Sequence, residues 1–122
     1  MIKVVNGKKV GFIGKDKIYI GRANYSYHLK GSILANPYQI GKHGNRQEVI
    51  TKYRQWLWKN IQEKLSNKYN RVWDELVKIG QKVLNGESVE LVCYCSPWEC
   101  HGDVIVSCIQ WMISKGYIRK NQ

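Results

Sequence analysis

Read for alternation and for the helical period, the chain divides into a strand-rich start, a long aperiodic stretch, two amphipathic helices, an apolar strand and a closing helix. The clearest element is the run from Val89 to Cys95. Val89, Leu91, Cys93 and Cys95 share one face of an extended segment and Val92 and Tyr94 the other, the pattern of a central strand covered by protein on both sides. Ser96-Pro97-Trp98-Glu99 then predicts a helix start, with Ser96 at the cap, Pro97 in the first turn and Glu99 closing a capping box. His101, Val104, Ile105, Cys108 and Met112 follow on one stripe, with Gly116 as the stop.

The first twenty residues predict short strands. Lys3 to Val5 leads into an Asn6-Gly7 turn suited to a hairpin, Lys9 to Ile13 returns, and a Gly14-Lys15-Asp16 turn precedes Lys17 to Ile20. Residues 21–44 show no period and form a connection long enough to suggest function. Asn45-Arg46-Gln47-Glu48 is a capping box opening a helix with the stripe Val49, Ile50, Tyr53, Trp56, Leu57, Ile61 and Leu65. A second stripe of Tyr69, Val72, Trp73, Leu76, Gly80, Val83 and Leu84 ends at Asn85-Gly86, so residues 45–85 hold two helices. Trp56, Trp73 and Trp111 fall at core positions. The expectation is one α/β domain over residues 1–122, a small mixed sheet flanked by about three helices, with residues 88–116 forming a Rossmann-like strand-to-helix site.

Charge sharpens this picture. The 122 residues carry a formal net charge of +11, which favours phosphates, nucleotides and other polyanions as partners, although a lysine-rich surface can also serve solubility alone. No stretch is apolar enough to span a bilayer and the amino end lacks a signal-peptide pattern, so a cytoplasmic location is expected, with no membrane partner. Four cysteines in such a setting point to metal, catalysis or burial rather than disulfides.

The strand-to-helix junction gathers the chemistry. Cys93, Cys95, Cys100 and His101 are types that bind zinc, but Cys-x-Cys followed by an adjacent Cys-His is not a standard ligand spacing, so zinc is a minority alternative and no cofactor is expected. Cys95 or Cys100 at a helix start can instead be a reactive thiolate. The preferred reading makes the cysteines largely structural, with His101 and Asp103 as polar contacts to a ligand. His101 can equally be a satisfied core histidine, and Asp103 can simply complement the helix dipole. Arg46, in a helix's first turn, is electrostatically unfavourable unless an anion faces it, or unless Glu48 offsets it. Gly21-Arg22, Asn36-Pro37-Tyr38 and Gly41-Lys42-His43-Gly44 combine turn backbone with donor side chains, while turn punctuation explains them too.

Ile20-Gly21-Arg22, Ala35-Asn36-Pro37-Tyr38, Arg46-Gln47-Glu48 with Tyr53 and Trp56, and Cys93-Tyr94-Cys95-Ser96-Pro97 with Cys100-His101-Gly102-Asp103 together make the chain resemble the family catalogued as domain of unknown function 4326, found in bacteria and phages. The resemblance carries no settled activity. It implies that Arg22, Asn36, Arg46, Glu48, His101 and Asp103 belong to one site.

The expected site therefore binds with Gly21, Arg22, Asn36, Lys42, Arg46, Cys95, Ser96, Cys100 and Gly102. If it turns its ligand over, His101, Asp103 and Glu48 are the acid-base groups. Its expected ligand is a small nucleotide-like anion: a nucleotide, nucleotide-sugar or cyclic nucleotide, in a setting of phage-bacterium conflict. The rivals are a nucleic-acid-binding accessory protein using Lys8, Lys9, Lys15, Lys17, Lys30, Lys42, Lys52, Arg54 and Lys59, and a zinc-stabilised interaction module. A homodimer that completes the pocket is a further candidate arrangement.

Overall fold

The computed structural model describes residues 1–94 and 98–120. Among them, three strands form one sheet: β1 (Ile2–Asn6), β2 (Lys17–Tyr19) and β3 (Val89–Cys93). The order is β1-β3-β2, and both neighbours run parallel to β3, with Ile2 beside Val89 and Lys17 beside Glu90. The helices are a short α1 (Gly7–Val10), then α2 (Arg46–Leu65), α3 (Arg71–Leu84) and α4 (His101–Ser114). The α/β class and the central position of the Val89 strand are as expected.

The amino-terminal hairpin does not form, and the sheet is parallel rather than mixed. Asn6 caps α1 instead of making a hairpin turn, its Oδ1 accepting the Lys8 N–H at 2.9 Å. Gly7 is buried against Phe12, whose ring lies 2.2 Å from where a Cβ would stand, so that helical turn closes only over glycine. Of the expected Lys9 to Ile13 strand, Lys9 and Val10 belong to α1, and Ile13 is exposed. The physical reason lies in β3. An apolar strand has two edges of backbone donors and acceptors to satisfy, and β1 and β2 each pair with one of them. A hairpin would leave one edge open.

Alternation along β3 separates two faces. Val89, Leu91 and Cys93 enter the helix-covered core with Tyr53 and Leu57 of α2, Leu76 and Ile79 of α3, and Ile105, Ile109 and Met112 of α4. The expected helical stripes are largely buried. Their ends depart from expectation: Leu65 is exposed, and Tyr69 is exposed and precedes α3, which Asn70 caps. On the other face Glu90 bridges Lys3 and Lys17 at 3.5 and 3.4 Å, tying the three strands together laterally. Farther along that face Tyr19 and Tyr94 meet Phe12 and Tyr27 in an aromatic cluster. No helix among the described residues is long and apolar enough to cross a membrane.

α4 begins later than the sequence suggests. Its cap is Cys100, whose Sγ accepts the Gly102 N–H at 3.2 Å, and Asp103 completes the box by accepting the Cys100 N–H at 3.1 Å. Glu99 lies before the helix and so does not close a capping box within it, while Ser96 and Pro97 fall outside the described residues.

Candidate functional site

Beyond the carboxyl ends of β2 and β3 the chain leaves a cavity of about 280 Å³. The loop of residues 21–44 forms one side, and the first turns of α2 and α4 form the other. In open α/β sheets this is the usual position for ligands, because strand ends and helix amino ends there present backbone donors and a positive dipole.

Several long-range contacts hold the walls. His101, at the start of α4, is buried, and its Nε2 lies 2.7 Å from the Ile20 carbonyl. A carbonyl only accepts, so Nε2 carries the proton. The imidazole also meets the Tyr53 ring in a T-shaped contact, with centroids 5.0 Å apart. Tyr53 in turn donates to the Leu34 carbonyl at 2.7 Å, anchoring the loop to α2. Asn36 is buried in that loop, accepting the Tyr38 N–H at 2.9 Å and donating to the Val49 carbonyl at 3.3 Å.

Two guanidinium groups line the cavity. Arg22 donates to the Asn36 carbonyl at 2.7 Å, and Arg46 to the Glu99 carbonyl at 2.9 Å. A guanidinium has five N–H donors, so one bond to a carbonyl positions it and leaves capacity for an anion. Tyr19, Tyr38 and Tyr94 also line the cavity. The Tyr19 hydroxyl donates to the Arg22 carbonyl at 2.6 Å and lies 3.3 Å from that of Tyr94, which accepts from Asn24 Nδ2 at 2.8 Å. Burial, and then the hydrogen bond with Tyr94, push the Tyr19 hydroxyl well above its usual acidity constant, so it stays protonated.

Six expected site residues meet here: Gly21, Arg22, Asn36, Arg46, Cys100 and His101. Four others do not line the cavity. The Glu48 carboxylate accepts the Asn45 N–H at 2.9 Å, and that of Asp103 accepts the Cys100 N–H, so both serve as helix caps. Gly102 lies against β1, where a Cβ would stand 2.9 Å from Val4 Cγ1. Lys42 is exposed on a turn away from the lining. Cys95 and Ser96 lie outside the described residues.

Sequence reasoning missed Tyr19, Asn24, Tyr38 and Glu99 as lining residues, and had Tyr94 only as a strand residue. Tyr38 carried a signal, since it belongs to the Asn36-Pro37-Tyr38 turn already singled out. Of the four residues of the zinc alternative, Cys93, Cys100 and His101 are described and Cys95 is not. The Cys93 and Cys100 sulfurs lie 3.4 Å apart, and the His101 Nε2 faces the Ile20 carbonyl. Among the described residues no group of three or more His, Cys, Asp or Glu is arranged to hold a metal ion.

Fold and cavity together define an α/β protein with a cavity at the carboxyl end of a parallel sheet. Residues 5–111 match the family model described as Domain of unknown function (DUF4326), and the chain belongs to that family. Comparisons with curated proteins and with solved structures find no match.

Proposed function

We propose that the protein binds a nucleotide-derived anion in this cavity. The observation that carries the proposal is the joint placement of Arg22 and Arg46 beside Tyr19, Tyr38 and Tyr94, between two helix amino ends. Guanidinium groups and helix N–H groups suit phosphate oxygens, and tyrosine rings suit a base. The volume lies near the lower bound of small-molecule pockets, about 300 Å³, which fits one nucleotide unit better than two. Binding is favoured over turnover, because the Glu48 and Asp103 carboxylates are engaged in caps outside the lining. In the bacterial and phage setting that the resemblance implies, such a binder would withdraw a nucleotide signal during phage-bacterium conflict.

The test is native mass spectrometry of the purified protein, followed by thermal melting with nucleoside mono- and diphosphates, a nucleotide-sugar and a cyclic nucleotide. The expected result is an intact nucleotide retained by the protein, with affinity falling about 10- to 100-fold in Arg46→Ala, the loss expected of one charged hydrogen bond. Chemical conversion of the bound nucleotide would replace simple binding with catalysis. No recovered ligand and no melting shift with any of the panel would refute the proposal.

A further inference from the structure

The positive charge is unevenly distributed along the chain. Residues 1–44 contain eight Lys and Arg and one acidic residue, Asp16, against twelve and eight in the remainder. This basic third supplies both the cavity's loop and the sheet face opposite the helices. On that face Tyr94 and Tyr19 are shared: each lines the cavity and also belongs to the aromatic cluster. Phe12 packs on Tyr94 with centroids 5.2 Å apart and on Tyr27 at 4.8 Å. The aromatic surface therefore continues from the cavity wall to the outside.

Its outer part is open to solvent. Tyr25 is 89% exposed and Tyr27 45% exposed, at the two ends of a 3-10 turn (Tyr25–Tyr27). That turn is fixed. Asn24 accepts the Ser26 N–H at 3.0 Å, pairs through its backbone with Leu29 in both directions at 2.9 Å, and donates its side chain to Tyr94. Asn24 thus ties the exposed rings to the cavity wall. Lys8 adjoins the same surface. The Lys8 ammonium lies 5.5 Å from the Tyr94 ring centre, and Lys9 and Lys30 are exposed nearby in sequence.

We infer that this face carries a single-stranded polynucleotide whose terminal nucleotide occupies the cavity, an extension that rests on the nucleotide reading of that cavity. Exposed rings on a fixed turn, with a lysine over the adjoining Tyr94 ring, are what unpaired bases and their phosphates use, since every base has a face to stack and every linkage a charge to neutralise. A duplex hides its base faces and has no such use for Tyr25 and Tyr27. The cavity's small volume agrees, because the rest of the strand lies outside it.

The test measures fluorescence anisotropy with a mixed-sequence single strand of about eight nucleotides, within the site sizes of single-strand binders, prepared as DNA and as RNA. A hairpin duplex and the 5′-monophosphates serve as comparisons. The expected result is that one single strand binds at least about tenfold tighter than the monophosphates and the duplex, and its sugar identifies the source. Tyr25→Ala with Tyr27→Ala should cost the single strand about tenfold or more, the scale of lost base stacking, and leave monophosphate affinity unchanged. Arg46→Ala should weaken both ligands. Monophosphates that bind as tightly as the single strand overturn the inference and leave the cavity reading standing. Equal affinity for duplex and single strand, indifferent to the tyrosines, overturns it in favour of bulk electrostatics. If neither monophosphate nor oligonucleotide binds, the cavity reading fails and this extension fails with it.

Discussion

His101 joins three parts of the molecule at a single ring: it starts α4, donates to Ile20 just beyond β2, and packs on Tyr53 of α2. Replacing it with alanine strands a buried carbonyl at a cost of about 1–3 kcal/mol. His101→Ala should accordingly lower the urea midpoint without changing the denaturant slope, the mark of a change in stability. Gly102 is equally constrained. A methyl there would press on Val4, whose short branched side chain cannot swing away, so Gly102→Ala should destabilise by about 1–3 kcal/mol through overpacking. An unchanged midpoint in that variant would mean that β1 yields to the added atom.

Three protons on buried or half-buried groups predict a pH dependence. Burial pushes the Cys108 thiol up from 9.0 to about 12, and it raises the Tyr19 and Tyr53 hydroxyls above 10.0. Below pH 9.0 the folded and unfolded chains hold these protons alike, so their contribution to stability is complete. Above that, the unfolded chain releases them first, so stability falls as pH rises toward 12. Unfolding measured across this range should show the decline, and Cys108→Ala should remove its earliest part. A flat profile would show that these groups titrate as they do in water.

At the scale of elements, Asn70 does more than cap α3. Its Oδ1 accepts the Trp73 N–H at 2.9 Å while its amide donates to Asn60 at 2.9 Å and Glu63 at 3.0 Å on α2, so one side chain fixes the corner between two helices. Asn45 caps α2 at an exposed end. Asn45→Ala should cost about 1 kcal/mol, the usual worth of a cap. Asn70→Ala should cost more, by about 1 kcal/mol for each buried hydrogen bond lost. Asn70→Asp separates the two roles: Asp caps as well as Asn, but it presents a carboxylate to Glu63 and to the Asn60 carbonyl oxygen. Thermal melts should place Asn70→Asp well below wild type, and a wild-type melt would show that capping alone matters there.

Across the whole molecule, the scarcity of acidic residues leaves residues 1–44, with eight basic and one acidic, at a net charge of +7 against +4 for the remainder, with twelve and eight, an asymmetry that predicts a directional field. Polyanions should feel this. Replacing Lys8, Lys9 and Lys30 with Glu should lower the salt needed to elute the protein from heparin more than the same exchange at Lys59, Lys64 and Lys68, although both change the charge equally. Equal shifts would reduce the field to net charge alone.

The central strand, the stripes of α2 to α4, the Asn45-Glu48 cap and the Gly86 and Gly116 stops were legible in the sequence, because each leaves a pattern within a short stretch of chain. The cap at Cys100 and Asp103 was obscured by thiol at a position where hydroxyl or amide is usual. Six of the expected site residues could be named from turn backbone and donor chemistry, yet nothing local distinguishes Arg46 and His101, which line the cavity, from Glu48 and Asp103, which do not. That distinction depends on partners far away in sequence, such as Glu99 for Arg46 and Ile20 for His101. The hairpin failed for the same reason. Asn6-Gly7 suits a turn or a helix cap equally well, and only β3, with two edges to satisfy, decided that β1 and β2 lie on opposite sides of it.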